Sequence, residues 1–600
     1  METTMKQSPS KLKALLKKIG KFFTKPENDI LLFFGIVLTV LIVFPLFSIL
    51  KDSFTIHAGT YETEYSHLPA DTISTAIYVF TLTGSRAAKF FWQPFQHTLL
   101  LAFISCAISL TIGGGTAYLI TRTNLKFKKI ISAVFIFPYI MPQWTLALVW
   151  TNIFKSSAIT HDSNGILAAV FGINAPLWVT QGLFPSAIVL GLHYAPFAYI
   201  LIGSIFRNMD ANLEEAATIL NTPKHKIFTR VTLPLVKPAM LSTILFVFSS
   251  AMGSYPVPHY LQYQTLATKY MDNTSNYPGS GSIISIVMTV IGVSILLINQ
   301  KSTSGRKRYT TVTGKSGQAS TANLGKIGTP VLSTVLLIAT LFVTIIPLFS
   351  FTLETFLLNP GDYSAFSTKW WLSNTNSVEG LYGQYGILHN SLIWGSVWGS
   401  VKLALVCSLL AGTSGMLIGY AVSKNRRSKF ANYVNGMSFL PYLLPSLSVG
   451  AAFFIIGNKL GIYGTFGLLV LVGFVKYVPF AAKSSLNAML QLSNEIEEAA
   501  MIQNISWPKR MLRIVMPIQK TAFISGYLLP FITCMRELTL FMMLAPLGMT
   551  VITYMDYFTE MGLPAFTSAI NLILIVIILL CNGVVNKVTG ASLDKGIGGA

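Results

Sequence analysis

From Ile30 to Leu50 the chain runs for 21 residues without a charged side chain, and Pro330 to Ser350 does the same. About 20 apolar residues are what a helix needs to cross the hydrocarbon of a bilayer. In that solvent every backbone N–H and C=O must find its partner within the segment, which confines such a run to helix. Ten further apolar runs follow the same reading. The spacing predicts spans near 30–50, 97–120, 130–154, 186–206, 239–256 and 282–299, then 330–350, 396–422, 431–457, 465–487, 520–543 and 565–586. Composition agrees, because only 11% of the residues are charged where an ordinary globular chain carries roughly 25%. The expected fold class is an all-α polytopic membrane protein of about 12 transmembrane helices.

A net charge of +21 raises nucleic acid as a partner, but the placement of the charge excludes it. The basic residues occupy short loops on alternate sides of the apolar runs, the pattern of cytoplasmic loops. Lys11, Lys13, Lys17 and Lys18 precede the first run; Arg122, Lys126, Lys128 and Lys129 follow the second. Arg306, Lys307 and Arg308 lie between the sixth and seventh, and Lys424, Arg426, Arg427 and Lys429 follow the eighth. The intervening loops carry acids such as Asp52, Glu62, Glu64 and Asp71. Lipid bilayer is the partner this charge pattern fits, with both termini cytoplasmic. The basic arm at 1–29 suits an anionic membrane surface. Its sequel resembles a signal peptide in outline, but the apolar run is too long, so an uncleaved first span is expected. The four cysteines all fall in apolar runs without a C-x-x-C pair, which reads as buried hydrophobe and not as metal or redox chemistry.

One polar segment occurs twice. Leu213–Ala239 reads LEEAATILNTPKHKIFTRVTLPLVKPA and Ile496–Ala522 reads IEEAAMIQNISWPKRMLRIVMPIQKTA. Glu215 and Glu498 stand 283 residues apart. Other pairs repeat as well: Tyr118 with Tyr420, Phe137–Pro142 with Leu440–Pro445, Tyr194–Ala198 with Tyr477–Ala481. Each half therefore has six spans in the same order, which predicts parallel repeats related by a pseudo-two-fold axis along the membrane normal. The first half holds about 20 extra residues near 155–185. The domain reading is an arm at 1–29, a first half at 30–299, a linker at 300–329, a second half at 330–588 and a tail at 589–600. Prolines four apart, Pro138/Pro142 and Pro441/Pro445, predict broken helices in the third and ninth spans.

Within each copy of the duplicated segment, Glu214 and Glu215, or Glu497 and Glu498, lie in a first helical turn where carboxylates offset the helix dipole. Ala216 and Ala217, or Ala499 and Ala500, leave that helix open to close approach by another surface. Asn221 and Asn504 suit a left-handed C-cap. Leu233-Pro234 and Met516-Pro517 then lead back into the membrane. The product is a short helical projection at the matching place in each half, which predicts a docking role.

This E-A-A pattern with its following turn and I-x-L-P resembles the cytoplasmic signature of permease subunits of bacterial ATP-binding-cassette importers. Asn221 and Asn504 stand where those permeases carry Gly, and Met516 where they carry Leu. The resemblance implies that loops 207–238 and 490–520 hold coupling helices for two copies of a separate ATPase. It also implies an extracytoplasmic substrate-binding protein, ATP bound only by the partner, and no cofactor or catalytic residue on this chain. Gly314-Lys315-Ser316 ends like a P-loop, but Tyr309 stands where its leading Gly belongs, so a linker is expected there.

Charges inside membrane spans are costly and mark function. Arg536-Glu537 interrupts the eleventh span, as a substrate-pathway site or as an interhelix ion pair near its outer end. His193-Tyr194 and the equivalent Lys476-Tyr477 read as pathway residues or as packed and snorkelling side chains. The fused two-half form with Arg536-Glu537-Leu538 resembles ferric-iron importers, whose relatives carry thiamine, polyamines or aminoethylphosphonate. Gly253-Ser254-Tyr255 departs from the acidic-Phe-Gly pattern of the iron-type members. A secondary carrier driven by an ion gradient is the rival class, one that needs no paired docking helices.

Overall fold

The computed structural model describes residues 25–160, 163–209, 212–273, 276–304, 322–378 and 380–589. Most of the basic arm, the Gly314–Ser316 stretch and the tail from 590 lie outside the described residues. Among the described residues the secondary structure is helical, with three isolated β-bridges, Thr55–Ile73, Thr123–Ala322 and Leu357–Phe366.

Eight helices are long and apolar enough to cross a membrane: Pro26–Asp52, Ala88–Arg122, Leu177–Arg207, Pro278–Ile295, Gly325–Glu354, Ser391–Lys424, Phe466–Leu490 and Pro564–Cys581. Three more spans are bent pairs. Lys128–Ile140 and Gln143–Phe154 meet at 93°, Lys429–Tyr442 and Ser446–Lys459 at 99°, and His225–Lys237 and Ala239–Met252 at 55°. The two sharp bends fall at Pro142 and Pro445. Each proline lacks an N–H and forces the residue before it out of the helical region. Met141 (ψ 148°) and Leu444 (ψ 132°) are accordingly extended.

Among the described residues that makes as many as eleven spans, against the expectation of about twelve. The eleventh expected span, 520–543, holds a helix of only 16 residues, Lys520–Met535. At about 1.5 Å per residue that is roughly 24 Å, short of a bilayer core. The helix ends at Arg536, and the chain resumes as the short helix Thr539–Leu544. The charged pair breaks the run, and the Glu537 carboxylate accepts the Leu540 N–H (3.2 Å) at the restart.

Within each half the second and fourth spans pack backbone to backbone through glycine. A Cβ on Gly113 would lie 2.1 Å from the Ala195 carbonyl oxygen, and one on the equivalent Gly415 would lie 2.5 Å from the Ala482 nitrogen. This is the small-residue contact by which membrane helices approach closely. The first helix of each half packs on the other half. Pro26–Asp52 lies against Ser391–Lys424, Lys429–Leu443 and Ser446–Lys459, with Thr39 Oγ1 2.7 Å from the Tyr433 hydroxyl. Gly325–Glu354 lies against Lys128–Phe135 and Gln143–Phe154. Its start is stitched to the loop after the second span: Asn124 Oδ1 accepts from Leu324 N and Thr329 Oγ1, both at 3.0 Å. The extra segment after the third span forms three short helices, Ser157–Thr160, Ile166–Phe171 and Leu177–Thr180, the last leading into the fourth span. It approaches the second half where a Cβ on Gly361 would lie 2.8 Å from the Ser163 Cβ.

Candidate functional site

The duplicated segments fold alike. Asn212–Ile219 and Asn494–Ile502 are short helices, each followed by an asparagine in the left-handed region, Asn221 (φ 54°) and Asn504 (φ 52°). The turn closes both times with the same pair of bonds. Asn221 N donates to Thr218 O and Thr222 N to Ala217 O; Asn504 N donates to Met501 O and Ile505 N to Ala500 O. Asn replaces Gly here because, after Gly, it tolerates this backbone best. One π-helical turn follows in each half, Phe228–Thr232 and Met511–Val515, just before Leu233-Pro234 and Met516-Pro517.

The paired glutamates divide their work. Glu497 is buried (4% exposed). It accepts the Tyr420 hydroxyl at 2.5 Å and pairs with Lys424 at 2.7 Å and Arg510 at 3.7 Å. Glu214 pairs with the buried Arg122 at 3.4 Å and accepts the Thr232 hydroxyl at 2.7 Å. Both therefore anchor their helix to the end of a membrane span. Glu498 and Ala499 are exposed and Ala500 is buried, while Ala216 is exposed and Ala217 half-buried. The side chain of Glu215 lies outside the described residues. Sequence reasoning missed two features. One is the cation at the span end, Arg122 and its equivalent Lys424, legible as a basic residue at the offset that links Tyr118 to Tyr420. The other is an apolar tip on each helix: Ile219 and Leu220 are 81% and 79% exposed, Met501 and Ile502 53% and 83%. Four bare apolar side chains at two matching projections have no packing role among the described residues.

All six residues expected along the pathway line one cavity of about 160 Å³ between the halves: His193, Tyr194, Lys476, Tyr477, Arg536 and Glu537. The proline breaks supply its frame. At each break a carbonyl loses its helical partner and is taken up by the equivalent residue of the next span. His193 Nδ1 lies 2.9 Å from Pro138 O. Lys476 Nζ donates to Pro441 O (3.3 Å) and Leu444 O (2.7 Å). The lysine is thus neither snorkelling nor ion-paired at the described geometry. Arg536 crosses between the halves, donating to the Tyr139 carbonyl while its guanidinium sits 4.6 Å from the Tyr139 ring centroid. Its counterpart Gly253 packs on the other break, where an added Cβ would lie 2.8 Å from the Pro445 Cβ. Glu537 does not pair with Arg536; its oxygens accept Ser446 Oγ (3.3 Å) and Leu540 N (3.2 Å).

On the side away from the duplicated segments, Pro256–Tyr260 of the first half meets Val551–Glu560 of the second. The Tyr260 hydroxyl donates to Asp556 at 3.1 Å, and His259 lies 3.6 Å from Glu560. Trp144 and Thr145 both donate to Asn571 Oδ1, at 3.1 and 3.2 Å. The halves are joined there by polar contacts between side chains.

Residues 109–304 and 412–589, one stretch in each half, match the family of binding-protein-dependent transport system inner membrane components. The chain belongs to that family. A putative ferric transport system permease protein, FbpB 1 of Haemophilus influenzae, is 22% identical over 485 residues, covering 78% of this chain and 72% of that one. The ferric transport system permease protein FbpB of Actinobacillus pleuropneumoniae is 23% identical over 497 residues, covering 81% and 69%. The galactooligosaccharides transport system permease protein GanP of Bacillus subtilis is 26% identical over 233 residues, covering 37% and 54%. This permease is accordingly a multi-pass membrane component of a transport system, in the fused form that carries the family's unit twice.

Proposed function

We propose that this permease works in a bacterial inner membrane as the translocating subunit of an ATP-driven importer, with ferric iron as the cargo. Two copies of a separate ATPase seat on its duplicated helices, and an extracytoplasmic binding protein delivers cargo to the opposite face. ATP is bound by the ATPase, the permease itself carries no catalytic residue, and both its termini lie in the cytoplasm. The iron reading leans on the names of the two ferric relatives; the coupling reading leans on this chain's own geometry.

The observation that carries it is the pair of matched helices with bare apolar tips. Ile219-Leu220 and Met501-Ile502 present apolar surface to a groove, and burying such side chains is worth about 1.5–3 kcal/mol each. Glu214 and Glu497 tie these helices to Arg122 and Lys424 at the span ends. A displacement of a seated helix is therefore passed into the second and eighth spans. Closure of the two ATPases on ATP draws the helices together and tilts the halves, so that the midline cavity opens to one side and then the other. The polar contacts of Tyr260 with Asp556 and of His259 with Glu560 break when the outer side opens.

The test is purification of the intact complex from its own membranes. The expected result is two ATPase copies per permease, and loss of both from a Leu220→Asp, Ile502→Asp double variant that still reaches the membrane. Full ATPase retention by that variant would overturn the seating. Uptake of labelled ferric iron that survives ATP depletion would overturn the energy source.

A further inference from the structure

The hydrogen-bonding capacity of the midline cavity is lopsided. Its charged lining residues, among the described residues, are Arg536, Lys476 and Glu537, with His193 beside them. Arg536 presents five N–H donors and spends one on the Tyr139 carbonyl. Lys476 presents three and spends two, on Pro441 O and Leu444 O. Glu537 is already engaged at both oxygens, by Leu540 N and Ser446 Oγ. Cations with spare donors thus face a carboxylate that is already occupied.

Phenol rings frame the cavity: Tyr139, Tyr194, Tyr442 and Tyr477 all line it. The Tyr477 hydroxyl itself is sealed from the cavity space, so the open donors are those of Arg536 and Lys476. A bare trivalent cation is poorly matched to this lining. It would meet the guanidinium and the ammonium, and Glu537 would have to give up its present donors to ligate it.

We propose that the cavity is an oxyanion site. A compact phosphate, phosphonate or carboxylate group sits against Arg536 and the third Lys476 donor. Ferric cargo crosses bound to its anionic ligand and not as a naked ion. This rests on the cavity being the translocation site. The oxyanion has two sources, free in solution or carried on iron, and both offer the same group to the same donors. Guanidinium and ammonium donors to an oxyanion make strong, charge-assisted bonds.

The experiment uses the full-length permease in lipid nanodiscs. Equilibrium dialysis follows labelled inorganic phosphate, ferric citrate labelled on both iron and citrate, and labelled spermidine. Saturable retention of phosphate is expected for the free source. Joint retention of the iron and citrate labels is expected for the carried one. Spermidine is expected to pass through. Lys476→Met removes the ammonium and its third donor and should weaken oxyanion retention about tenfold. Arg536→Gln should weaken it about a hundredfold. Three outcomes overturn the proposal. One is iron retained without citrate, with the visible charge-transfer band of an iron–tyrosinate bond. Another is spermidine retained in place of phosphate and citrate. The last is oxyanion retention that neither variant changes. ATPase recovery plays no part in this measurement, so a failure here is distinct from a failure of the coupling reading.

Discussion

The first half holds its short projecting helix, Asn212–Ile219, by Arg122 and the Thr232 hydroxyl, both on Glu214. The second holds its own by Tyr420, Lys424 and Arg510, all on Glu497. Val515 stands where the first half has Thr232, and Ile227 where the second has Arg510. The same mechanical joint is therefore built from different donors around an equivalent carboxylate. At the midline the halves diverge in kind: Gly253 packs on Pro445 where its counterpart Arg536 reaches across to the Tyr139 carbonyl, and Ser254 stands where the second half has Glu537. Under the proposed function, the duplicated parts are those that would meet two equal ATPases, and the parts that would meet one asymmetric cargo have no reason to remain equal.

The strongest test of the equal parts is a double charge reversal. Glu215→Lys with Glu498→Lys should bring uptake to background while membrane fractionation still recovers the protein. Uptake near the original rate would break the equivalence of the two docking helices. Next comes the difference between the anchors. Glu497→Ala strips a buried network of its common acceptor and should cost about 3–5 kcal/mol of stability. Glu214→Ala, with one ion pair and one hydroxyl at stake, should cost less, read as a smaller drop in unfolding temperature under the same conditions. Equal drops would mean that the two joints are energetically alike despite their chemistry.

Smaller effects sharpen the same contrast. Asn221→Ala and Asn504→Ala should each cost about 1 kcal/mol, because alanine resists the left-handed backbone, whereas Gly at either site should be tolerated. Matching losses are expected, since the two turns close alike. The least effect concerns the outer hairpins. His57 sits between Asp52 (3.1 Å) and Glu62 (2.7 Å), and Asn359 takes its place in the second half. Burial works against the charged imidazole, but the two carboxylates outweigh it and raise its pKa to about 9. The clamp's contribution is therefore complete below the unfolded value of 6.5 and lost as pH rises through 9. Hydrogen exchange at residues 54–74, corrected for its intrinsic pH dependence, should quicken over that window; residues 355–368 should show no such change. Parallel behaviour would remove His57 as the cause.

Much of this was legible in the sequence, and the reasons differ by element. Long uncharged runs can only be membrane helices, so the spans follow from hydropathy and proline placement. The paired projecting helices follow from duplication, because two copies expose what one loop hides. The eleventh span was misjudged as continuous. Its warning was the Arg536-Glu537 pair, read as a site within a helix when it is also where the helix stops. Convergence of His193, Lys476 and Arg536 on one cavity was harder to see. Each of these donors is met by carbonyls that proline breaks set free, and the positions of those carbonyls depend on bends near 90° that no local pattern encodes. Nor does any pattern say that Pro26–Asp52 will pack across the midline.

That crossing sets a timetable for synthesis. The helix ending at Asp52 is inserted long before its partner surfaces, Ser391–Lys424 and Lys429–Lys459, have been made. Until then, its packing face must rest in lipid or against a chaperone. The first half released by itself would hold that helix mainly through Pro278–Ser304, and would leave the Lys128–Phe135 and Gln143–Phe154 surfaces bare where Gly325–Glu354 belongs. Fusion in one chain guarantees that each half meets the helix it lacks, in equal number and in the same patch of membrane.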